Sequence, residues 1–324
     1  MNNISVISKP IENELNEFKT LFSQSLLHTD GLLNEALTHI LNRGGKMMRP
    51  MLVLLIARNY GNISSATQNG AIGLELLHTA SLVHDDVVDE SLERRGQPST
   101  NAIYNNKISI LVGDYILSTA LYYVAKTQNN RMVEYLANLG SILSQGEINQ
   151  LSNISNRNLT EEDYFRVIRQ KTAALFAACA KVGALSANAT DKEISEAEKF
   201  GETLGIIFQI KDDIFDYYES EELGKPTGND MLEGKLTLPV IHALLSTGNN
   251  EMMQLAEKVK SRNITTAEIQ KLIDFTKENH GIDYACEKMD SLKLEAQGYI
   301  KNCKKDDIRN SLAAYLDFII SRDK

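Results

Sequence analysis

The chain has 324 residues, of which 34 are basic and 43 acidic, giving a net charge of −9 and a pI near 5.3. That balance argues against a general nucleic-acid binder, which carries a basic stripe. It leaves room for anionic substrates, because a few local cations or bound metals reverse the field within one cleft.

The opening stretch, MNNISVISKPIENELNEF, has neither the basic n-region nor the apolar h-region of a secretion signal. Proline divides the chain, at Pro10, Pro50, Pro98, Pro226 and Pro239. It is tolerated at a helix start and breaks an interior, so long helices fit the intervals 51–97, 99–225 and 240–324. In each, apolar residues recur at three- and four-residue steps among Leu, Ala, Ile, Glu and Lys. Turn signals fall at Arg43–Lys46, Arg95–Ser99, Asn153–Thr160, Ala187–Lys192, Leu223–Gly234 and Ser246–Asn250. Thr160 ahead of Glu161–Asp163, and Thr190 or Asp191 ahead of Glu193, read as helix N-termini. Strand patterns are nearly absent. The expected class is all-α, as a single domain over residues 1–324; the alternative is a bundle ending near residue 245 with a separate helical cap.

Uncharged runs such as Tyr115–Ala125 fall short of the roughly 20 residues a membrane-spanning helix needs, so no span is expected. Cys179, Cys286 and Cys303 are widely spaced and form no CxxC unit. Packed free thiols in a cytoplasmic, soluble protein are the expectation.

Two acidic clusters dominate the chain: HDDVVDE at 84–90 and KDDIFD at 211–216. Both have DDxxD spacing inside apolar helical stretches. Residues four apart share a helix face, so Asp85 aligns with Asp89 and Asp212 with Asp216. Like charges at that spacing cost a helix a few tenths of a kcal/mol. Repeating that cost beside buried segments points to a use for the charge. Mg²⁺ is the natural counter-ion, since it takes one or two carboxylates together with phosphate oxygens. Asp86 and Asp213 lie off the line of their partners, and pairing with lysines or support of the metal ligands suits them better.

Cationic and polar residues accompany both clusters. Lys46 and Arg49 follow the Gly44–Gly45 pair, His78 lies two turns before Asp85, and Arg94 and Arg95 come after Asp89. Gln209 precedes the second cluster, and ELGKPTGNDMLEGKLTLP, containing Lys225, Asp230 and Lys235, comes after it. Lys171 and Thr172 sit in an otherwise apolar helix, RQKTAALFAACA. Taken singly, each has a plainer reading. Lys46, Arg49, Arg94 and Arg95 could be solvated turns, His78 a packed core histidine, Lys171 a snorkelling side chain, and Thr172 a back-bonded hydroxyl.

Together, in this order, GGKxxRP, DDxxD followed by RRG, KT, GxxFQIxDDxxD and GKxxxxDxxxGKxTxP make the chain resemble the trans-isoprenyl diphosphate synthase (polyprenyl synthetase) family, strongly over residues 40–245. The resemblance implies one large helical bundle, the isoprenoid synthase fold, around a central apolar cavity. It implies a prenyltransferase that condenses isopentenyl diphosphate head-to-tail with an allylic diphosphate. Lys46, Arg49, His78 and Arg95 would hold the isopentenyl diphosphate. Arg94, Lys171, Thr172, Gln209, Lys225 and Lys235 would face the allylic diphosphate. Asp85, Asp86, Asp89, Asp212, Asp213 and Asp216 would form the catalytic clusters with Lys171. About three Mg²⁺ ions would act as Lewis acids, two chiefly on Asp85 and Asp89 and one on Asp212, with Asp216 as a further ligand. A homodimer is implied, with transient membrane contact for product release left open.

Product length is read from the helix entering the first cluster. Short-chain members of the family carry a bulky aromatic four or five residues before it, and here Ala80 and Ser81 are small. Ala80, Leu77, Leu76 and Gly73 form one stripe without an aromatic, which favours a long, octaprenyl-length product for a quinone side chain. The cavity floor would then come from Tyr122, Tyr123 or Phe176. Farnesyl or geranylgeranyl synthesis is the alternative, and a regulatory subunit of a two-component synthase the remoter one.

Overall fold

The computed structural model describes residues 3–29, 31–94, 96–153, 160–218 and 227–322, with side chains described from residue 4 and omitted at 151–153. Among the described residues sixteen α-helices run in order: α1 (Asn3–Ser8), α2 (Glu12–Ser25), α3 (Gly31–Asn42), α4 (Met48–Tyr60), α5 (Ser65–Val88), α6 (Thr100–Ala125), α7 (Asn130–Asn153), α8 (Glu161–Ile168), α9 (Ala174–Ser186), α10 (Asp191–Phe215), α11 (Asn229–Leu232), α12 (Leu238–Thr247), α13 (Asn250–Lys260), α14 (Thr266–Glu278), α15 (Gly281–Lys301) and α16 (Asp306–Ser321). Among the described residues the only strands are β1 (Glu93–Arg94) and β2 (Gln97–Pro98), an antiparallel ribbon where a plain turn is expected. The all-α expectation holds. So do the helix starts at Thr160, whose hydroxyl accepts the Asp163 amide at 3.1 Å, and at Thr190, whose amide donates to Glu193 at 2.8 Å.

Backbone contacts divide the chain into two compact units. The first comprises Met1–Gly140, Leu175–Gly201 and Asn302–Ala314; the second comprises Ser141–Ala174, Glu202–Lys301 and Tyr315–Lys324. In the first, α4 is buried without interruption from Pro50 to Ala57, as befits a helix that is apolar all round. Small residues let helices close on one another there. A Cβ on Gly73 would come within 2.5 Å of Val124, and one on Gly183 within 2.5 Å of the Val53 carbonyl. The small end of the stripe considered for product length therefore serves packing of α5 on α6. In the second unit, α12 is the apolar centre, with Leu238, Pro239, Val240, Ile241, Ala243 and Leu244 buried.

Helix α6 departs from expectation in two ways. Asn105 breaks it with φ 70° and ψ 167°, and its side-chain oxygen restarts the helix by accepting the amides of Lys107 (3.0 Å) and Ile108 (3.2 Å). It is also the one helix among the described residues long and apolar enough to cross a membrane, with a mean hydropathy of 1.5 over its best window. Charged Lys107 and Asp114 both lie on the exposed face of that helix, and the opposite face packs on α5.

Candidate active site

Both acidic clusters fall at helix C-termini, one in the last turn of α5 and the other in the last turn of α10. The negative end of the helix dipole makes this the least favourable place for carboxylates. Two helices ending this way create a standing demand for cations.

In the first unit the three aspartates divide the work. Asp85 is half-buried and Asp89, the C-cap, is exposed. Asp86 is fully buried: its Oδ1 accepts Arg94 Nε at 2.6 Å, and Arg43 Nη1 lies 3.8 Å from its Oδ2. The Asp86 carbonyl also accepts the Ser91 amide (2.9 Å) and Asn101 Nδ2 (3.2 Å). Arg43 in turn donates to the Pro98 carbonyl at 2.8 Å and to Thr100 Oγ1 at 3.3 Å. Asp86 therefore knots the end of α5 to the β-ribbon and the start of α6, and its partners are arginines where lysines are expected. Arg43 is a site residue that motif reading passes over. Its signal in the sequence is its place directly before Gly44–Gly45.

A cavity of about 80 Å³ in this unit is lined by His78 and Arg94 together with Arg43, Gly44, Gly45 and Glu75. Lys46 is exposed in the loop beside it. Arg49, in the first turn of α4, has its Nε buried without a hydrogen-bond acceptor and its guanidinium 5.2 Å from the Phe176 ring. A buried donor left without an acceptor is costly unless an anion completes it. Arg95 lies outside the described residues.

In the second unit, residues Arg169–Ala173 form a π-helical turn between α8 and α9, a distortion that often marks functional sites. It carries Lys171 and Thr172. Thr172 Oγ1 donates to Gln209 Oε1 at 2.7 Å, Gln209 Nε2 donates to Asp213 Oδ1 at 2.8 Å, and Tyr164 Oη donates to Asp213 Oδ2 at 2.5 Å. Lys171 pairs with Glu147 at 2.8 Å. Burial pushes the Asp213 carboxyl well above the usual carboxylate range, the two hydrogen bonds oppose that shift, and the charges of Asp212 and Asp216 add to it. Asp230 is raised for the same reasons, first by burial and then by Asp213 and Asp216, with Lys235 opposing.

One cavity of about 190 Å³ has Lys171, Thr172, Gln209 and Lys235 on its wall, along with Asp213, Asp230, Tyr164 and Lys260. Four residues expected to face one diphosphate thus converge within one unit. Tyr164, Lys260 and Glu147 are additions that no motif announces. Asp216 accepts the amides of Asn229 (2.9 Å) and Asp230 (3.1 Å), holding the loop that leads to Lys235. Gly228 makes that loop possible: it has φ +79°, and a Cβ there would lie 2.4 Å from Ile269. Asp212 Oδ1 already holds a cation, the guanidinium of Arg322 at 2.6 Å. Lys225 lies outside the described residues.

These carboxylates suit a hard divalent cation. The donors are all oxygen, they sit at negative helix ends, and Asp212 pairs with a guanidinium. No three His, Cys, Asp or Glu side chains converge as a complete cage among the described residues.

The profile of the polyprenyl synthetase family matches residues 30–276. The chain belongs to that family. As a prenyltransferase of the family, which uses divalent metal, it is 37% identical to octaprenyl diphosphate synthase of Haemophilus influenzae over 80% of this chain and 78% of that one. It is 35% identical to heptaprenyl diphosphate synthase component 2 of Geobacillus stearothermophilus, over 90% and 91% of the two chains. A crystal structure of geranylgeranyl pyrophosphate synthase from Bacteroides thetaiotaomicron superposes with a TM-score of 0.88 at 49% identity, covering 99% and 100% of the two chains. The isoprenoid synthase fold expected from the motifs is the fold of these relatives. Their names span several product lengths.

Proposed function

We propose that this prenyltransferase is an all-trans long-chain polyprenyl diphosphate synthase, extending an allylic diphosphate with isopentenyl diphosphate to an octaprenyl-length product. The observation that carries the reading is the convergence of Lys171, Thr172, Gln209 and Lys235 on one cavity beside Asp213. Lys171 and Lys235 supply point charges for the diphosphate. The hydrogen-bond chain from Thr172 through Gln209 to Asp213 and Tyr164 holds the neutral donors in place, which is the pre-organisation such a transfer needs. Arg49, with its buried Nε, and His78, on the smaller cavity, would hold isopentenyl diphosphate. Asp85, Asp89 and Asp212, with Asp216, would ligate about three Mg²⁺ ions, whose contribution is Lewis-acid neutralisation of the departing diphosphate. Loss of that group leaves an allylic cation, the terminal double bond of isopentenyl diphosphate attacks it, and a proton then leaves.

The mass of the product formed from farnesyl diphosphate and excess isopentenyl diphosphate tests this reading. The 49% identity to a geranylgeranyl pyrophosphate synthase structure favours a second, shorter product. A product that stops at geranylgeranyl diphosphate would establish it. All six cluster aspartates are present, which argues against a regulatory subunit, and elongation by the chain alone would remove dependence on a partner component.

Small Ala80 and Ser81 support the longer product. Ala80 is 2% exposed and Ser81 Oγ donates to the His78 carbonyl at 2.9 Å. Of the expected floor residues, Phe176 is buried, whereas Tyr122 is 58% exposed. Ala80→Phe is expected to shift the main product down by two or more isoprene units, seen by chromatography of dephosphorylated prenols. An unchanged product in a protein of unchanged stability would remove Ala80 from length control.

A homodimer is part of the proposal, and α6 supports it. Ile103, Ile110, Leu111, Leu121 and Tyr122 are exposed on that helix, around the charged Lys107 and Asp114, with Leu111 63% exposed. Apolar side chains grouped on one exposed helix suit contact with a second copy. Leu111→Glu is expected to convert a dimer to a monomer in sedimentation velocity. A wild-type chain that sediments as a monomer at micromolar concentration would remove the assembly.

A further inference from the structure

The end of α16 places a fixed positive charge on the second carboxylate cluster. Arg322 Nη2 donates to Asp212 Oδ1 at 2.6 Å and to the carbonyl of Phe208, one turn earlier in α10, at 3.0 Å. The guanidinium lies 3.7 Å from the centre of the Phe208 ring. Its side chain is only 10% exposed, against 41% for Asp212. The Arg322 amide donates to Phe318 at 3.1 Å, so the residue continues the last turn of α16. An ion pair, a carbonyl contact and a cation–π stack therefore hold one guanidinium against one motif carboxylate. Arginine does not deprotonate in proteins, so the guanidinium keeps its charge and leaves the carboxylate readily to a competing cation.

We propose that Arg322 is a positioning residue that acts through Asp212: it serves as the resident counter-cation of that carboxylate and yields it when a divalent cation binds, releasing the end of α16 from α10. The inference rests on reading Asp212 as a metal ligand, as in the proposed function. A guanidinium and a divalent cation on one carboxylate repel each other, and at a partly exposed site that repulsion is only partly screened. Linkage makes the effect reciprocal. If the cation loosens Arg322, then Arg322 weakens the cation, and removing its charge must tighten metal binding. An arginine that merely orients the carboxylate gives the opposite sign, since its loss would weaken binding.

The test uses the full chain with Mn²⁺ as probe and inorganic diphosphate present, following free Mn²⁺ by electron paramagnetic resonance. R322Q is expected to bind Mn²⁺ roughly five- to tenfold more tightly than the unaltered protein, and R322K, which keeps the charge, to stay within about twofold of it. D212N is expected to lose this response, so that adding R322Q to it changes nothing. Hydrogen exchange gives a second reading on the unaltered chain: Mn²⁺ with diphosphate is expected to speed exchange of the amides at 318–322 several-fold, and not to do so in D212N. Unchanged or weaker binding in R322Q, a response that survives in D212N, or unchanged protection at 318–322 would each overturn the proposal. Failure of prenyl transfer alone, with these shifts present, would count against the proposed function and leave the Arg322–Asp212 competition standing.

Discussion

Asp85→Asn is expected to lower kcat by about a thousandfold or more while leaving the urea unfolding midpoint unchanged. Asparagine keeps the volume of the side chain and one acceptor oxygen but removes the charge that draws a cation to the end of α5. Asp85 is half-buried, and Asp89 shares its face one turn on. The substitution also relieves repulsion between these two and with the negative end of the helix, so stability should not fall. Asp212→Asn is expected to behave likewise at the end of α10. Diphosphate release from farnesyl and isopentenyl diphosphates measures the rate. A kcat within tenfold of wild type would show that ionisation does not depend on that carboxylate.

Asp86→Ala, one residue away, is expected to fail differently, by losing roughly 3–5 kcal/mol of stability, the usual result of removing one partner from a buried ion pair. Asp86 is fully buried, and the substitution would take from Arg94, 27% exposed, the carboxylate it donates to and from Arg43, 7% exposed, its nearest counter-charge. The ribbon β1–β2 and the first turn of α6 are held through those same arginines, so protection of amides at 91–102 should fall with the midpoint. Urea denaturation and hydrogen exchange measure both effects. A midpoint within about 0.5 kcal/mol of wild type, the scale of an ordinary surface substitution, would mean that the arginines find other partners. With both outcomes, Asp85 and Asp86 would separate chemistry from structure within one dipeptide.

Much of this protein is legible in one dimension. Few prolines, helical spacing of apolar residues and the caps at Thr160 and Thr190 mark an all-α chain, and each of those caps forms. The DDxxD pair and its retinue of Lys, Arg, His and Gln resemble the family's motifs in their order, and the chemistry accounts for the residue types. Periodicity even orders the aspartates: positions one and five of each cluster share a face, and the second position points elsewhere.

What the second position points at is another matter. Asp86 finds Arg43 from the turn after α3, and Asp213 finds Tyr164 from α8. A helical period states that a side chain leaves the common face, and carries no information about which distant element waits there. The π turn under Lys171 escapes for a similar reason. One extra residue in a turn costs little in composition and is decided by packing, here against α7, where a Cβ on Gly146 would lie 3.0 Å from Gln170. The exposed apolar residues of α6 read in sequence as core, because apolar spacing is the same whether a helix is covered by its own chain or not.

By itself, then, the sequence determined the helical class and the faces on which the carboxylates lie, since these derive from local stereochemistry, and its ordered motifs carried the resemblance that implies prenyl transfer. Only the tertiary structure decided which aspartates are buried and paired, which residues gather around one cavity, and that Arg322 rests on Asp212. Those outcomes depend on contacts between residues dozens of positions apart, and no local propensity encodes them.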